Sequence, residues 1–249
     1  MRSGAGIMLS RLTRYHELMP ADANPARSLR VAFFGGSFDP PHRGHLAVAR
    51  AALQALHLDR VLFAPVGSQP LKPQGSSASF EQRVAMTRLA IANQPGSELS
   101  LADASLPDGS PNYTWDSLQT IRAALPPDSD LFCLMGADSL AGIRRWHRAA
   151  DLLFAAPFIV ASRPGEQLDD LTALLPEGLV LESAPATQAG GIELRCYLLR
   201  NAAGVTAPFY LLPGLHVDIS ATAIRSGQQA STLLPGPVSE YIRAHKLYP

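Results

Sequence analysis

Two histidines spaced three residues apart are the side chains of this chain best suited to hold an anion. His42 and His45 follow an Asp-Pro-Pro turn at 39–41. They open an amphipathic stretch in which the spacing of the apolar residues predicts a helix. Residues at i and i+3 face the same side of a helix, so both imidazoles can donate to one anion. The start of a helix also carries unpaired N–H groups and partial positive charge, which attract phosphate. The pattern therefore indicates phosphate chemistry.

A glycine pair precedes these histidines. Gly35 and Gly36 follow the apolar run 31–34, which is typical of a buried parallel strand. Because glycine has no side chain, a ligand can approach the backbone closely at these positions. The strand, the loop and the helix form one unit, and the apolar face of the helix is supplied largely by Leu46, Val48, Ala49, Ala52 and Leu53.

A second group of phosphate-binding residue types lies in the segment DISATAIRSG at 218–227. Ser220 is typical of an N-cap, Thr222 falls in the first turn of a short helix, and Arg225 carries a guanidinium fork that suits phosphate. Alone, this segment is typical of a capped surface helix. Together with the glycine pair and the histidines, it favours nucleotide chemistry.

The main alternative is a metal site. Asp39, His42 and His45 have the composition of a two-histidine, one-carboxylate triad, as found in metal enzymes. A metal hydrolase would need a stoichiometric transition metal and would have no use for the segment at 218–227. A nucleotide-binding protein without turnover is a third interpretation, which the two histidines make less favourable.

Several motifs give the chain a family resemblance. GGSFDPPHRGH at 35–45 resembles the GG-T/S-FDP-x-H-x-GH signature of the nucleotidylyltransferases, and 218–227 resembles their second phosphate motif, ISxTxIR. Four more segments are similar, in order and spacing, to the bacterial nicotinate-nucleotide adenylyltransferases: PNYTWDSL at 111–118, GADSL at 136–140, RRWHRAADLL at 144–153 and LLPGPVSEYIRAHKLY at 233–248. The resemblance covers 31–249.

The resemblance implies an enzyme of NAD biosynthesis that transfers the adenylyl group of ATP to nicotinate mononucleotide, giving nicotinate adenine dinucleotide and pyrophosphate. It implies Mg²⁺ as cofactor, bridged by the phosphates without ligands from protein side chains. Within the superfamily another phosphate ester, such as phosphopantetheine, is the alternative acceptor. The motifs PNYT and GADSL and the residue Trp146 argue against that alternative.

The resemblance also implies which residues bind each substrate. For ATP these are Gly35, Gly36, Ser37, Phe38, His42, His45, Ser220, Thr222 and Arg225, of which His42, His45 and Arg225 are catalytic. For the mononucleotide they are Lys72, Tyr113, Thr114, Asp138, Trp146 and His147. Trp146 is a platform for the pyridine ring, Asp138 a partner of a ribose, and Lys72 the cation for the phosphate, although Leu71 replaces the family's histidine. Outside the family context, Trp146 is typical of core packing.

The elements that must position these residues alternate between strands and helices. Strands are predicted at 60–65, 98–104, 130–135 and 157–162, and helices from a capping box at Ser79 and Gln82, at 114–125 and at 146–154. The alternation predicts a doubly wound, Rossmann-like parallel sheet with ligands at the carboxyl ends of its strands. Asp39, Gly67, Asp138 and Arg163 each follow an apolar run, so we expect them to line one crevice.

Composition sets broader limits. The chain has 249 residues, 47% of them hydrophobic, and 21 basic residues balance 21 acidic ones. A neutral chain has no electrostatic footprint of a nucleic-acid or membrane-surface partner, so we expect small-molecule substrates only. Two cysteines are too few for a disulfide framework and suit a reducing cytoplasm. Oligomeric state is not determined by these patterns.

The N-terminal stretch differs from the rest of the chain. Residues 1–28 mix Arg, Ser, Gly and Pro with little periodicity, which predicts a disordered or loosely attached extension. Its arginines also suit a transit peptide, an alternative weakened by Glu17 and Asp22. Residues 29–249 are predicted to form one nucleotidylyltransferase domain with a short C-terminal helical part.

Overall fold

The structure, a computed structural model, describes residues 28–68, 75–162, 171–184, 187–189, 191–214, 221–226 and 230–248. The extension predicted for 1–28 lies outside the described residues except for Ser28. Within the described ranges, no helix is both long and apolar enough to cross a membrane.

The described strands are β1 (Arg30–Gly36), β2 (Arg60–Pro65), β3 (Ser97–Leu99), β4 (Asp130–Gly136), β5 (Phe158–Ala161), β6 (Val180–Ser183), β7 (Thr187–Ala189), β8 (Ile192–Arg200) and β9 (Thr206–Leu212). They lie in the order β3-β2-β1-β4-β5-β9-β8-β6, and β7 pairs with β8. From β3 to β9 neighbouring strands are parallel, whereas β8 and β6 are added antiparallel at one edge. The predicted doubly wound parallel sheet is confirmed.

The described helices are α1 (Arg43–Ala55), α2 (Phe80–Ile91), α3 (Thr114–Ala124), α4 (Ala137–Leu140), α5 (Ala149–Ala155), α6 (Leu171–Leu174), α7 (Ala221–Arg225), α8 (Ala230–Leu233) and α9 (Gly236–Ala244). The capping box that opens α2 is present, because Ser79 Oγ accepts from the Gln82 N–H and Gln82 Oε1 accepts from the Ser79 N–H. At the C-terminal end, α9 packs against α2.

A core lies on each face of the sheet because successive residues of a strand point to opposite sides. In β1, Val31 and Phe33 belong to one core, whereas Ala32 and Phe34 belong to the other. All four are buried, as the continuous apolar run predicted. Helix α1 covers the second face, with Ala49 and Ala52 buried in that core.

Two predicted elements are shorter in the structure. The strand predicted at 98–104 ends at Leu99, and the chain turns back through a bond from the Ala104 N–H to the Leu101 carbonyl. The helix predicted at 146–154 begins only at Ala149, because Arg148 has a φ of 54° and this left-handed conformation cannot continue a right-handed helix. Both irregular segments face the site described next.

Candidate active site

A cavity of about 460 Å³ opens at the carboxyl ends of β1 and β4. The strand order reverses at this point: from β1 the chain runs outward through β2 and β3 on one side, and then crosses back to β4 on the other side of β1. Ligands of doubly wound sheets bind in the crevice at such a switch point. The sequence-predicted residues that line the cavity are Gly35, Gly36, Ser37, Phe38, His42, His45, Tyr113, Thr114, Asp138, Trp146 and His147.

His42 and His45 lie face to face in this cavity. Their ring centroids are 3.8 Å apart and their planes are 28° apart, as the spacing of three residues at the start of α1 predicted. The His42 N–H donates to His45 Nδ1 over 3.1 Å. A neutral imidazole that accepts through Nδ1 carries its proton on Nε2, so His45 can donate to an anion through Nε2.

The electrostatics of α1 suit an anion at the same place. The first turn of this 13-residue helix contains no acidic residue, so the positive potential of its free N–H groups is not neutralised within the helix. His42, the N-cap residue, is only 6% exposed. An anion held here would be largely shielded from water, and its hydrogen bonds would be correspondingly stronger.

Phe38 packs against His45. Its ring meets the His45 ring edge-on at a centroid distance of 5.0 Å and the Phe34 ring at 5.5 Å. The backbone of Phe38 is left-handed, with a φ of 46°, and its side chain is buried. Although Phe38 lines the cavity, its ring therefore belongs to the core and orients an imidazole.

The two glycines are required by packing as well as by access. A Cβ atom on Gly35 would lie 2.8 Å from two carbons of the Phe33 ring, and one on Gly36 would lie 3.3 Å from the Phe38 ring. A Cβ atom on Gly136, at the end of β4, would lie 2.6 Å from an Asp138 carboxylate oxygen. Side chains at these positions would push the lining of the cavity out of place.

Asp39 does not line the cavity, contrary to the expectation of a shared crevice. Its carboxylate is buried and accepts hydrogen bonds from the Ser77 and Ala78 N–H groups and from the Tyr248 hydroxyl, over 2.6, 3.1 and 2.7 Å. Its role is thus to anchor the loop between β1 and α1. In the part of the chain that the structure describes, no three His, Cys, Asp or Glu side chains are grouped to hold a metal.

Gly67 also lies outside the cavity lining. A Cβ atom there would lie 2.0 Å from the Ser105 nitrogen, so this glycine is needed where two loops pack together. Three of the predicted functional residues, Lys72, Arg163 and Ser220, lie outside the described residues.

Arg225 is turned toward the first phosphate motif. Its Nη1 donates to the Asp39 carbonyl over 2.7 Å, and its Nη2 donates to Thr222 Oγ1 over 3.3 Å. Neither Thr222 nor Arg225 lines the cavity. Helix α7 is thereby fastened to the loop that precedes His42, which brings the two predicted phosphate motifs together.

Sequence reasoning missed Arg83. Its side chain is only 2% exposed, and it donates to the carbonyls of Ser37 and Val66 over 2.8 and 2.7 Å. Burial lowers the pKa of its guanidinium, while the nearby Asp39 carboxylate raises it. Arg83 thus ties the glycine loop to the end of β2. The sequence signal that could have indicated this role is a charged residue on the buried face of α2.

The other end of the cavity is built by the start of α3 and the turn after α4. The Tyr113 and His147 rings stack with centroids 4.5 Å apart, and Thr114 is the first residue of α3. Trp146 is half-buried and follows a 3₁₀ turn, Ile143–Arg145. This half of the cavity offers aromatic faces beside a helix start, a combination that suits a planar anionic ring.

A buried polar cluster beneath this half was also missed. Asp103, Asn112 and Ser117 are all buried, and Asp103 and Asn112 line the cavity. Ser117 Oγ lies 2.7 Å from Asp103 Oδ1. Burial raises the pKa of Asp103 to about 7, against the opposing effect of the Ser117 hydrogen bond. Asp103 lies within the segment predicted as a strand at 98–104, so the sequence pattern did not indicate a functional residue there.

The chain is similar to known proteins over most of its length. Residues 33–227 match the family described as cytidylyltransferase-like. The probable nicotinate-nucleotide adenylyltransferases of Pelobacter propionicus and Gloeobacter violaceus are 34% and 37% identical to the chain, and these alignments cover 88% of it and 98% and 96% of those relatives. A structure of the Plasmodium falciparum nicotinic acid mononucleotide adenylyltransferase with NaAD superposes with a TM-score of 0.62 at 17% identity, over 88% of this chain and 97% of that one.

Fold and site therefore define a nucleotidyltransferase of the α/β type. At this level of identity over nearly the whole length of its relatives, the chain belongs to the nicotinate-nucleotide adenylyltransferase family.

Proposed function

We propose that this enzyme transfers the adenylyl group of ATP to nicotinate mononucleotide, releasing pyrophosphate, by aligning the two substrates without a general base. The attacking phosphate oxygen is already ionised at neutral pH. The protein must bring two polyanions together, align attacking and leaving oxygens, and stabilise the charge that develops on the α-phosphate. The observation that carries the proposal is that the glycine pair of β1 and the helix starts of α1 and α3 open into one cavity.

The ATP half is formed by the two phosphate motifs. The backbone at Gly35 and Gly36 with Ser37 admits the α-phosphate, and His42 and His45 donate to it. Ser220, Thr222 and Arg225 hold the β- and γ-phosphates. The bond from Arg225 to the Asp39 carbonyl supports this assignment, since it brings α7 to the loop that leads into His42.

In this proposal Mg²⁺ would accompany ATP, held by the substrate and not by protein side chains, and would neutralise part of the phosphate charge. The carboxylate of Asp39, nearest in sequence to the histidines, is already engaged by Ser77, Ala78 and Tyr248. We also place the enzyme in the cytoplasm, because two cysteines are too few for a disulfide framework and suit a reducing compartment.

The mononucleotide half is formed around the pyridine ring. Trp146 stacks on the ring, the N–H groups at Tyr113 and Thr114 together with His147 bind its carboxylate, Asp138 binds a ribose, and Lys72 supplies a cation for the phosphate. A carboxylate is favoured over a neutral amide by the start of α3, through both hydrogen bonding and the helix dipole.

Acceptor choice tests the proposal. We expect kcat/KM for nicotinate mononucleotide to exceed that for nicotinamide mononucleotide by at least about tenfold, which needs only about 1.4 kcal/mol. Pyrophosphate release would be measured with ATP and Mg²⁺ held constant, across both mononucleotides and phosphopantetheine. Equal values for the two mononucleotides would show that these residues form no carboxylate pocket, and preference for phosphopantetheine would overturn the assignment of the acceptor.

A further inference from the structure

Asp103 is a buried carboxyl group placed between the two halves of the cavity. It is 4% exposed and lines the cavity, and its Oδ2 lies 3.5 Å from where a Cβ on Gly35 would be. Its own backbone carbonyl accepts from the Gly67 N–H over 2.8 Å, which fixes the residue in the loop after β3. On the other side it meets Ser117 of α3, the helix whose start faces the acceptor.

Ser117 is the hydrogen-bond partner of this carboxyl. Ser117 Oγ lies 2.7 Å from Asp103 Oδ1, 3.0 Å from the Ala102 carbonyl and 3.3 Å from the Tyr113 carbonyl. It also accepts from Asn112 Nδ2 over 3.2 Å. The Ala102 carbonyl also accepts from Asn112 Nδ2, and the Tyr113 carbonyl also accepts from the Ser117 N–H, so the Ser117 hydroxyl can either donate to Asp103 or accept from it.

The neutral form of Asp103 fits this network with the direction of its hydrogen bond to Ser117 reversed. Its carboxyl O–H donates to Ser117 Oγ, and Ser117 then donates its own hydrogen to the Ala102 carbonyl. Asn112 Nδ2 donates to both Ser117 Oγ and the Ala102 carbonyl, the latter over 2.6 Å. Each group then has a partner of the correct kind. The ionised form, by contrast, would be a buried carboxylate whose one hydrogen-bond donor in the described part of the chain is the Ser117 hydroxyl. Burial with so few donors disfavours the charged form.

The charges of the substrates act in the same direction. An ionised carboxylate beside Gly35 would repel the α-phosphate on one side and the acceptor's carboxylate on the other. The neighbouring thiol of Cys133 stays neutral, because burial and Asp103 both raise its pKa. The other titratable or charged groups lining the described cavity are His42 and His45 from α1, Tyr113 before α3, Asp138 from α4, and Arg145 and His147 from the turn that follows.

We propose that Asp103 is a positioning residue held as the neutral acid when the anionic substrates are bound, so that their binding takes up a proton from solvent. In the free enzyme the carboxyl titrates near neutrality, since its pKa is raised to about 7. Bound anions raise that pKa further. Affinity for the anionic substrates is therefore greatest below pH 7 and falls as the pH rises, because binding must then protonate an ionised carboxylate.

The proton count on binding tests this inference, which rests on the proposed function only for the identity of the ligands. Nicotinate mononucleotide and a non-hydrolysable ATP analogue would be titrated separately at pH 8 by calorimetry in buffers of low and high ionisation enthalpy. With at least one ligand, we expect wild type to take up about one proton more than Asp103→Asn, whose amide is always neutral. Asp108→Asn, on the exposed loop outside the cavity lining, serves as the matched control and should match wild type.

A pH profile separates this role from a merely structural one. We compare KM for the ligand whose binding takes up the proton. Between pH 7 and 8.5 we expect this KM to rise by up to about tenfold per pH unit in wild type relative to Asp103→Asn. A structural defect would lower turnover equally at every pH. Equal proton uptake and parallel KM profiles in the two proteins would overturn the inference while leaving the proposed function intact, whereas absence of binding would overturn both.

A second measurement covers the case in which the asparagine variant does not fold. Infrared difference spectra of the wild-type enzyme, with ¹³C-labelled aspartate, would compare free and ligand-bound states at pH 8. We expect a protonated-carboxyl band that appears on binding, shifts in D₂O and carries the label. A spectrum without that band would overturn the inference.

Discussion

His45 is oriented by three contacts that its own segment of chain provides. The His42 N–H donates to its Nδ1, the His42 ring stacks on one face, and the Phe38 ring meets it edge-on. Because Nδ1 is occupied, Nε2 is the nitrogen from which His45 can donate. The imidazole is thus preorganised as a donor before a substrate arrives, which is the condition for effective stabilisation of a developing charge.

This arrangement predicts the effect of removing one imidazole. His45→Ala should fold and bind the acceptor, yet lose adenylyl transfer by about 10²–10³-fold, because a preorganised donor to a developing oxyanion contributes about 3–4 kcal/mol. His42→Ala should behave similarly, with a larger share of the loss in ATP affinity. Steady-state kinetics would be compared with Arg50→Ala, on the exposed face of the same helix. Near wild-type turnover in His45→Ala would exclude the donor role.

At the level of elements, the loop between β1 and α1 is held by side chains from helices far away in sequence. Arg83 of α2 binds the Ser37 carbonyl, and Arg225 of α7 binds the Asp39 carbonyl. Both arginines donate to backbone oxygens that the loop cannot satisfy with regular secondary structure. The loop therefore keeps its conformation only while α2 and α7 are in place.

The role of α7 can be tested through Arg225. Arg225→Lys keeps the positive charge but loses the guanidinium fork that reaches both the Asp39 carbonyl and Thr222 Oγ1 and that we propose binds phosphate oxygens. We expect KM for ATP to rise about tenfold, which corresponds to about 1.4 kcal/mol, while KM for nicotinate mononucleotide changes by less than about twofold. Arg243→Lys, exposed on α9, is the control. Loss of acceptor binding with ATP binding intact would mean that the two halves of the site are assigned the wrong way round.

At the scale of the whole molecule, the segment after α9 contacts the loop between β1 and α1. The Tyr248 hydroxyl donates to Asp39 Oδ1 over 2.7 Å, across 209 positions of sequence. Burial first, and then Asp39, raises the pKa of Tyr248, so the phenol stays protonated and remains a donor at neutral pH. The segment that follows α9 thus stabilises the loop that leads to the two histidines.

Removing this hydroxyl should cost stability rather than chemistry. Tyr248→Phe is expected to lower the free energy of unfolding by about 1.5–3 kcal/mol, the usual contribution of a hydrogen bond to a charged group. For a protein of this size that corresponds to a fall in Tm of roughly 3–10 °C. Tyr241→Phe, whose ring stacks on His245 in the same segment, should change Tm much less. A Tm for Tyr248→Phe equal to wild type would contradict the role of this contact.

The N-terminal extension belongs to the same scale. We propose that residues 1–28 are an extension outside the catalytic domain and that 29–249 form that domain, since the family match begins at residue 33. Deleting residues 1–27 should then leave kcat/KM within about twofold and Tm within about 2 °C of the full chain, a change of less than about 1 kcal/mol. A large loss of either quantity would show that the extension packs against the domain.

Local patterns in the sequence determined the order of the elements and the first phosphate motif. The apolar run of β1, the capping box at Ser79 and the spacing of His42 and His45 all depend on neighbours within a few residues, where periodicity and capping act directly. The family motifs added the substrates and the assignment of residues to each half of the site.

The tertiary structure alone decided which distant groups meet. Arg225 lies 186 positions from Asp39, and nothing in either local pattern indicates their contact. The same holds for the contact between Arg83 and the Ser37 carbonyl. It also holds for Asp103, which the sequence pattern placed in a strand but which the turn after β3 brings to the cavity. Such pairings arise because buried backbone and side-chain polar groups must find partners once the sheet and helices pack, and this requirement acts across the fold rather than along the chain.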